Sequence, residues 1–229
     1  MVKKVIHCFW GGGPKTKLAK KCRASWAKFA GDWEVREWNE TNVDALARLP
    51  GYCFFKYAIA HGKWSAASDW VRMAALYQEG GLYLDFDHEL VAAIDDLPEG
   101  EWVASEFTIS GGTEPAAGAG LALQAGSPLA ARMLEAYEKM PIAEIDELMP
   151  WIVGKMRDWP IRVLEPEVMS PIGVDGKMHR TEKTVGIHWY AMSWASPKQK
   201  ILQWMSWHGM RPLIDALLVL RNHVRKTLS

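Results

Sequence analysis

The sequence predicts an α/β fold in which a mostly parallel central sheet is flanked by helices. In the first third of the chain, short apolar segments alternate with amphipathic helix-like segments, and turn residues separate them. The chain has 229 residues and no Ser/Gly/Pro-rich linker, which suits one sizeable core. We therefore predict a single domain over residues 1–229.

The chain opens with a predicted strand, loop and helix. Residues 4–9 are apolar, and the glycines and proline of residues 10–14 break this strand. Residues 15–29 form a basic helix, whose lysines either make a solvated face, which we favour, or meet an anionic surface. Residues 33–38 alternate in polarity, as a second strand does.

A helical region then leads to the strand that carries the most informative residues. Residues 43–61 are predicted to be mostly helical with a break at a Pro-Gly pair, and residues 66–79 form a helix with Ser65 as its N-cap. Two glycines end that helix, and residues 80–87 form an apolar strand with two terminal carboxylates.

These carboxylates, Asp85 and Asp87, are predicted to point to the same side of the strand. Side chains two residues apart share a face, with Cβ atoms roughly 6.6 Å apart. Two like charges at a strand end are unfavourable unless something positive joins them. A divalent cation that bridges to a phosphate, or a bound polyol, fits this position, since ligands of α/β folds gather at the carboxyl ends of strands.

The remaining elements are predicted in less detail. They are strands at residues 102–105 and 161–164, a small-residue loop at 110–120, helices from Ser127-Pro128 and over 144–157, and a basic amphipathic helix at 208–229. The last helix either packs on the domain or lies on an anionic lipid surface.

Composition restricts the class of protein. Lysine plus arginine equals aspartate plus glutamate, 27 each, so no overall field indicates a nucleic-acid partner. Three cysteines, an odd number without metal-ligand spacing, argue against a disulfide framework, and no signal or membrane-spanning segment is evident. We expect a cytoplasmic protein, with peripheral contact on the inner face of the membrane as an option. Thirteen tryptophans suggest a groove with flat aromatic walls for nucleobases or sugars.

Two further groups of residues have chemistry that suits a binding site. Asp69 and Arg72 share a helix face, either as a surface ion pair or as a group that holds sugar hydroxyl and phosphate oxygens. Residues 186–194 combine the imidazole of His188 with a hydroxyl and several aromatic rings. A single histidine is more often structural, but this segment could close over a site built by the earlier strands.

The ordered set of motifs resembles a known family. The motifs are Ile6-His7-x-x-Trp10-Gly11, Ser68-Asp69-x-x-Arg72, Leu76-Tyr77-x-x-Gly80-Gly81-Leu82-Tyr83-Leu84-Asp85-x-Asp87 and Ile187-His188-x-x-x-x-Ser193-Trp194. Together they are similar to the sugar-binding region of the Asp-x-Asp (DXD) glycosyltransferases of family 32, which include bacterial capsular and lipopolysaccharide transferases.

The resemblance implies a GT-A type nucleotide-binding fold and a hexosyltransferase that uses a UDP- or GDP-sugar. It implies a glycan or lipid-linked acceptor, retention of anomeric configuration and a role in surface polysaccharide synthesis, and the balanced charge adds the expectation of no nucleic acid partner. Mn²⁺ or Mg²⁺ would stabilise the charge that develops on the leaving diphosphate.

The resemblance also implies the roles of individual residues. The catalytic residues would be Asp85, Asp87, Asp69 and Arg72, and the metal ligands Asp85, Asp87 and His188. The substrate contacts would be Trp10, His7, Tyr83, Glu106, Ser193 and Trp194, with Trp10 stacked on the nucleobase and Trp194 donating to the leaving phosphate.

Two other classes of protein remain open from the residues. In a haloacid-dehalogenase-like phosphatase, Asp85 would attack phosphorus and Asp87 would act as acid and base. However, Glu89 stands where that family has a small residue. A non-catalytic carbohydrate-binding protein could use its tryptophans as stacking platforms and the two aspartates for a Ca²⁺-bridged sugar.

Overall fold

The computed structural model describes residues 2–108, 111–140, 158, 160–191 and 197–210. The helices within these residues are α1 (Lys17–Phe29), α2 (Tyr52–Ala60), α3 (Trp64–Glu79), α4 (Pro128–Lys139), α5 (Pro166–Met169) and α6 (Pro197–Trp207). The strands are β1 (Val5–Phe9), β2 (Glu34–Trp38), β3 (Gly81–Tyr83), β4 (His88–Leu90), β5 (Trp102–Val103), β6 (Ser105–Phe107), β7 (Thr113–Pro115), β8 (Leu121–Leu123), β9 (Arg162–Val163) and β10 (Gly186–His188).

A central sheet has the strand order β2-β1-β3-β8-β5-β9. Strand β1 pairs in parallel with both β2 and β3, and β5 pairs in parallel with β9. Strand β8 runs antiparallel to its neighbours β3 and β5. The predicted α/β class with a mostly parallel sheet is confirmed.

Helices cover both faces of this sheet. Helices α2, α3 and α4 pack on one face around the buried rings of Phe55, Trp70 and Tyr137. Helix α1 packs on the other face through Trp26. Because the central strands are buried on both sides, their sequences are almost continuously apolar.

Helix α1 shows how its basic sequence fits the fold. The Thr16 hydroxyl caps its first turn by accepting the Ala19 N–H at 3.1 Å. Its buried stripe is Ala19, Cys22 and Trp26, which leaves the lysines on the outer face. This agrees with the solvated-face interpretation of the basic segment.

Two predicted boundaries differ from the structure. Strand β3 ends at Tyr83, so the two carboxylates lie in the turn between β3 and β4 and not at the end of a long strand. Helix α3 begins at Trp64 with Lys63 as its cap residue, because the Lys63 carbonyl already accepts the Ala67 N–H at 3.0 Å. Ser65 is therefore inside the helix.

The predicted small-residue loop at 110–120 contains more order than expected. It includes strand β7, which pairs antiparallel with β6, and a 3₁₀ turn at Ala117–Ala119. This turn brings the chain back under the carboxylates.

Several predicted features lie outside the described residues. These are the helix at 144–157, the segment 211–229 and the side chains of Ser193 and Trp194. Residues 208–210 form a turn after α6. Within the described part of the chain, no helix has the length and apolar character needed to cross a membrane.

Candidate metal centre

The β3–β4 turn brings Asp85 and Asp87 to the edge of the central sheet. Leu84 continues the bonding to β1 by donating its N–H to the His7 carbonyl at 3.0 Å, and the His88 N–H closes the turn on the Asp85 carbonyl at 3.0 Å. Strand β3 can lie this close to β1 because its first residue, Gly81, is glycine with φ of +122°. A Cβ there would stand 2.5 Å from the Val5 carbonyl oxygen.

Arg72 of helix α3 binds the first of these carboxylates. Its Nη2 donates to both Asp85 oxygens, at 3.2 and 3.3 Å, and its Nη1 donates to Asp69 Oδ1 at 2.6 Å. The guanidinium also lies over the ring of Tyr83, 4.8 Å from its centroid. The side chains of Arg72 and Asp69 are 5% and 9% exposed, so this ion pair is inside the protein and not on its surface.

Burial changes the acidity of both carboxyl groups around Arg72. It raises the pKa of Asp69 to about 6, although the Arg72 charge opposes the change. Burial also raises the pKa of Asp85, with Arg72 again opposing it and the negative charge of Asp87 adding to it. The negative charges of Asp85 and Asp87 therefore repel each other, and a cation between these two carboxylates would be stabilising.

Asp87 is bound from a different part of the chain. His188, at the end of β10, places its Nε2 3.4 Å from Asp87 Oδ1, and the Ala191 N–H donates to Asp87 Oδ2 at 2.8 Å. Tyr190 between them has φ of +47°, a left-handed conformation that is unusual for a residue with a side chain. This conformation turns the chain so that the Ala191 N–H faces the carboxylate.

The pKa values of Asp87 and His188 both shift in the direction that favours the charged form. Burial works against ionisation of Asp87, but His188 and the Ala191 N–H outweigh it and keep the pKa of Asp87 below its ordinary value. Burial likewise lowers the pKa of His188, but Asp87 and Glu106 outweigh it and raise that pKa well above its ordinary value. Asp87 is thus the anion of the pair and His188 its partner.

Three side chains surround the His188 ring. Glu106 of β6 places Oε1 3.2 Å from Nδ1, the Tyr190 ring centroid lies 4.3 Å away, and the His88 ring is nearly parallel at 5.8 Å. Neither nitrogen of the buried His88 has a hydrogen-bond partner among the described residues, and burial lowers the pKa of this ring to about 3. The His88 ring fits here because residue 186 is glycine. A Cβ at that position would stand 2.3 Å from His88 Nε2.

The donor atoms of Asp85, Asp87 and His188 suit a divalent cation. One ligand atom from each residue lies within 4.8 Å of the other two. Octahedral sites with bonds near 2.1 Å place adjacent donors about 3.0 Å and opposite donors about 4.2 Å apart, so the three donors would move closer together to hold a cation. Two carboxylate oxygens suit Mg²⁺ or Mn²⁺, and the imidazole favours Mn²⁺.

A cleft of about 490 Å³ lies beside Trp10. It is lined by Trp10, Gly13, Pro14, Lys15, Lys20, Glu37, Trp38, Asn39 and Glu40. The Trp10 indole meets Phe86 edge to face at 5.3 Å, and the Lys15 ammonium lies 4.7 Å above the Phe86 ring. Phe86, whose ring contacts these two residues of the cleft, stands between the two aspartates in sequence.

Two other predicted substrate contacts are enclosed by the protein. His7 is fully buried, with Nε2 3.0 Å from the Gly80 carbonyl and Nδ1 accepting from the Trp38 indole at 3.1 Å. Tyr83 is also fully buried, and its hydroxyl lies 2.9 Å from Ser68 Oγ. The structure does not place either side chain on an open surface, and their contact with substrate stays a prediction.

Three further groups lie at the cluster that sequence reasoning did not assign. Ser68 Oγ donates to Asp85 Oδ1 at 3.5 Å, and its place in the Ser-Asp-x-x-Arg motif was the available signal. Gly118 is so close that a Cβ would stand 3.3 Å from Asp85 Oδ2. The Ala191 N–H is a backbone donor, which leaves no signature in a sequence.

Comparisons with known proteins agree with the sequence motifs. The family model described as glycosyltransferase sugar-binding region containing DXD motif matches residues 16–104, which include Asp69, Arg72, Asp85 and Asp87. The resemblance to DXD-containing glycosyltransferases is therefore confirmed for this segment, which is less than half of the chain.

A solved structure described as PaToxG Glycosyltransferase is similar at 20% sequence identity with a TM-score of 0.48. The similarity covers 66% of this chain, and it spans 64% of the length of that structure. A search of curated proteins finds no match.

Proposed function

We propose that this protein is a metal-dependent glycosyltransferase that moves a hexose-type sugar from a UDP- or GDP-sugar to a glycan or lipid-linked acceptor. One observation carries the proposal. Asp85 and Asp87, inside the segment that matches the glycosyltransferase family, converge with His188 to place three metal-ligating atoms within 4.8 Å of one another. Retention of configuration and a role in surface polysaccharide synthesis are part of the same proposal.

The residues around this centre have distinct tasks in the proposed reaction. Asp85, Asp87 and His188 would hold Mn²⁺ or Mg²⁺, which when bound supplies a Lewis acid for the leaving diphosphate. Arg72 fixes the orientation of Asp85 through two hydrogen bonds, and Asp69 fixes Arg72. A sugar hydroxyl would meet Asp69 and Arg72 only at the small exposed part of these side chains.

The Trp10 cleft would take the nucleoside. Its aromatic wall suits stacking on a flat base, and Lys15 and Lys20 at its lining suit a diphosphate that runs toward the aspartates. Ser193 and Trp194 would contact that diphosphate, as the resemblance implies.

Peripheral membrane contact through the basic C-terminal segment is a separate hypothesis, tested by sedimentation with anionic liposomes at low and high salt.

The phosphatase alternative is disfavoured by the surroundings of Asp85. Arg72 Nη2 donates to both oxygens of Asp85, and hydrogen bonds from a cation weaken a carboxylate as a nucleophile. A covalent phosphate trapped on Asp85 would restore this alternative. Metal-dependent sugar binding with no nucleotide binding in calorimetry would favour the carbohydrate-binding alternative.

A panel of UDP- and GDP-sugars with Mn²⁺ tests the proposal directly. We expect slow hydrolysis of one donor by the wild-type protein, removed by EDTA and lost in Asp87→Asn. A matched control is Asp95→Asn, which changes an exposed aspartate that pairs with Lys4 and with the Trp33 indole. The proposal fails if no nucleotide sugar is bound or hydrolysed in the presence of Mn²⁺ or Mg²⁺.

A further inference from the structure

The two ring nitrogens of His188 have different neighbours. Nε2 faces Asp87 at 3.4 Å, on the side of the candidate metal centre, and Nδ1 faces Glu106 at 3.2 Å. The nitrogens of an imidazole point away from each other, so Glu106 stands behind His188 as seen from the two aspartates. It is thus separated from the cation position by the ring that it contacts.

Glu106 is held in place by its own strand. It lies in the middle of β6, which pairs with β7 in register on both sides of it. The preceding residue, Ser105, is buried and donates its hydroxyl to the Leu164 carbonyl at 2.6 Å. These contacts fix the backbone from which the Glu106 carboxylate reaches His188.

We propose that Glu106 is a positioning residue that orients His188 for the divalent cation. Its carboxylate accepts the Nδ1–H, which selects the tautomer with a lone pair on Nε2 and turns that lone pair toward Asp85 and Asp87. Carboxylates that bind the far nitrogen of a ligating histidine act in this way in metal sites generally. The inference rests on the proposed function, because it requires that the cluster bind a cation.

This role differs from the one that the resemblance implies for Glu106. A carboxylate that contacts the sugar would affect donor binding and leave metal binding unchanged in the absence of donor. A carboxylate that orients His188 affects metal binding before any donor is present. The Tyr190 ring, 4.3 Å from His188, limits its tilt, and the Tyr190 hydroxyl lies 2.7 Å from the Ser170 hydroxyl.

Mn²⁺ affinity without nucleotide is the direct measurement, read from the electron paramagnetic resonance signal of free Mn²⁺. We expect Glu106→Ala to weaken Mn²⁺ binding about 10- to 100-fold. Glu106→Gln should fall between Ala and wild type, because its amide oxygen still accepts the Nδ1–H. The control Glu135→Gln removes one negative charge on the exposed face of α4 and should leave the affinity unchanged.

A double-mutant cycle separates positioning from a simple charge effect. In a His188→Ala background, Glu106→Ala should weaken Mn²⁺ binding by less than about twofold, because its target is gone. An equal loss in both backgrounds would show that Glu106 acts on the cation without His188 and would overturn the proposal. So would wild-type Mn²⁺ affinity in Glu106→Ala.

The parallel variant Asp87→Asn identifies which proposal has failed. If Asp87→Asn loses Mn²⁺ binding and Glu106→Ala does not, the metal centre stands and the positioning role is wrong. If the wild-type protein binds neither Mn²⁺ nor Mg²⁺, the proposed function itself fails. Circular dichroism and the urea unfolding midpoint confirm that each variant is folded before its affinity is interpreted.

Discussion

Asp85 and Asp87 are two residues apart but have opposite kinds of partner. Asp85 is bound by Arg72, a permanent cation only 13 residues earlier in the chain. Asp87 is bound by the His188 imidazole and by the Ala191 N–H, which comes from 104 residues later. An arginine stays charged at every physiological pH, whereas a histidine can lose its proton and use the lone pair to bind a metal. The half of the cluster around Asp87 is therefore the half that can exchange a proton for a cation.

The largest expected effect comes from removing the permanent cation. Arg72→Met leaves the buried Asp69 and the half-buried Asp85 without their counter-ion, which should cost about 3–5 kcal/mol in the free energy of unfolding. The measurement is urea denaturation at pH 7.5 in EDTA.

Arg36→Met is the matched control for that experiment. Arg36 also binds two carboxylates, Glu34 and Glu79, but its side chain is 33% exposed where that of Arg72 is 5% exposed. Its loss should cost under about 1 kcal/mol, as for surface ion pairs. Equal costs for the two arginines would show that the Asp85 half of the cluster is not a buried ion network.

The next effect separates the two aspartates by their affinity for Mn²⁺. Asp87→Asn should weaken Mn²⁺ binding by about 100-fold or more. The loss of a group that only supports a metal ligand weakens binding by up to about 100-fold, and Asp87 is a proposed ligand itself. Asp85→Asn should weaken it less, because Arg72 already offsets much of the charge of Asp85. Calorimetric titration with Mn²⁺ in the absence of donor measures both, and the reverse order would contradict the comparison.

The smallest effect concerns a histidine outside the cluster. Burial lowers the pKa of His7 to about 4, so between pH 6.5 and 4 the unfolded chain binds a proton that the folded protein does not. The free energy of unfolding that depends on His7 is therefore at its full value above pH 6.5 and decreases as the pH falls toward 4. At pH 5.5 the loss should be about 1 kcal/mol relative to pH 7.5.

His7→Gln provides the test of this pH dependence. The difference in unfolding free energy between pH 7.5 and 5.5 should shrink in the variant by about the amount that His7 contributes. His88 is buried as well and its pKa is lowered in the same direction, so part of the acid sensitivity should remain. An unchanged difference would show that His7 is not the titrating group.

The two halves of the cluster also differ in how far the sequence predicts them. Asp69 and Arg72 are three residues apart on a helix that runs directly into the carboxylate strand, so local spacing alone indicates that they meet. His188 arrives through the pairing of β10 with β4, which no local pattern specifies. The prediction that His188 belongs to the site depends on the family resemblance and on the aromatic residues near it in the sequence.

The length of the carboxylate strand was predicted wrongly for a physical reason. Leu84 and Phe86 are buried although they follow the end of β3, so the apolar alternation of the strand continues into the turn. Pairing with β1 ends near His7, and a sequence does not reveal where a partner strand stops. Gly118 and the Ala191 N–H were missed because one contributes the absence of a side chain and the other a backbone group.

The separation between Asp87 and its partners has a consequence for the order of folding. The contact between Arg72 and Asp85 closes a short loop of the chain and can form early. The contacts of Asp87 with His188 and Ala191 form only when a loop of about a hundred residues closes. A cation that requires both halves binds after that closure. We therefore expect a bound cation to slow unfolding and to leave the rate of folding nearly unchanged.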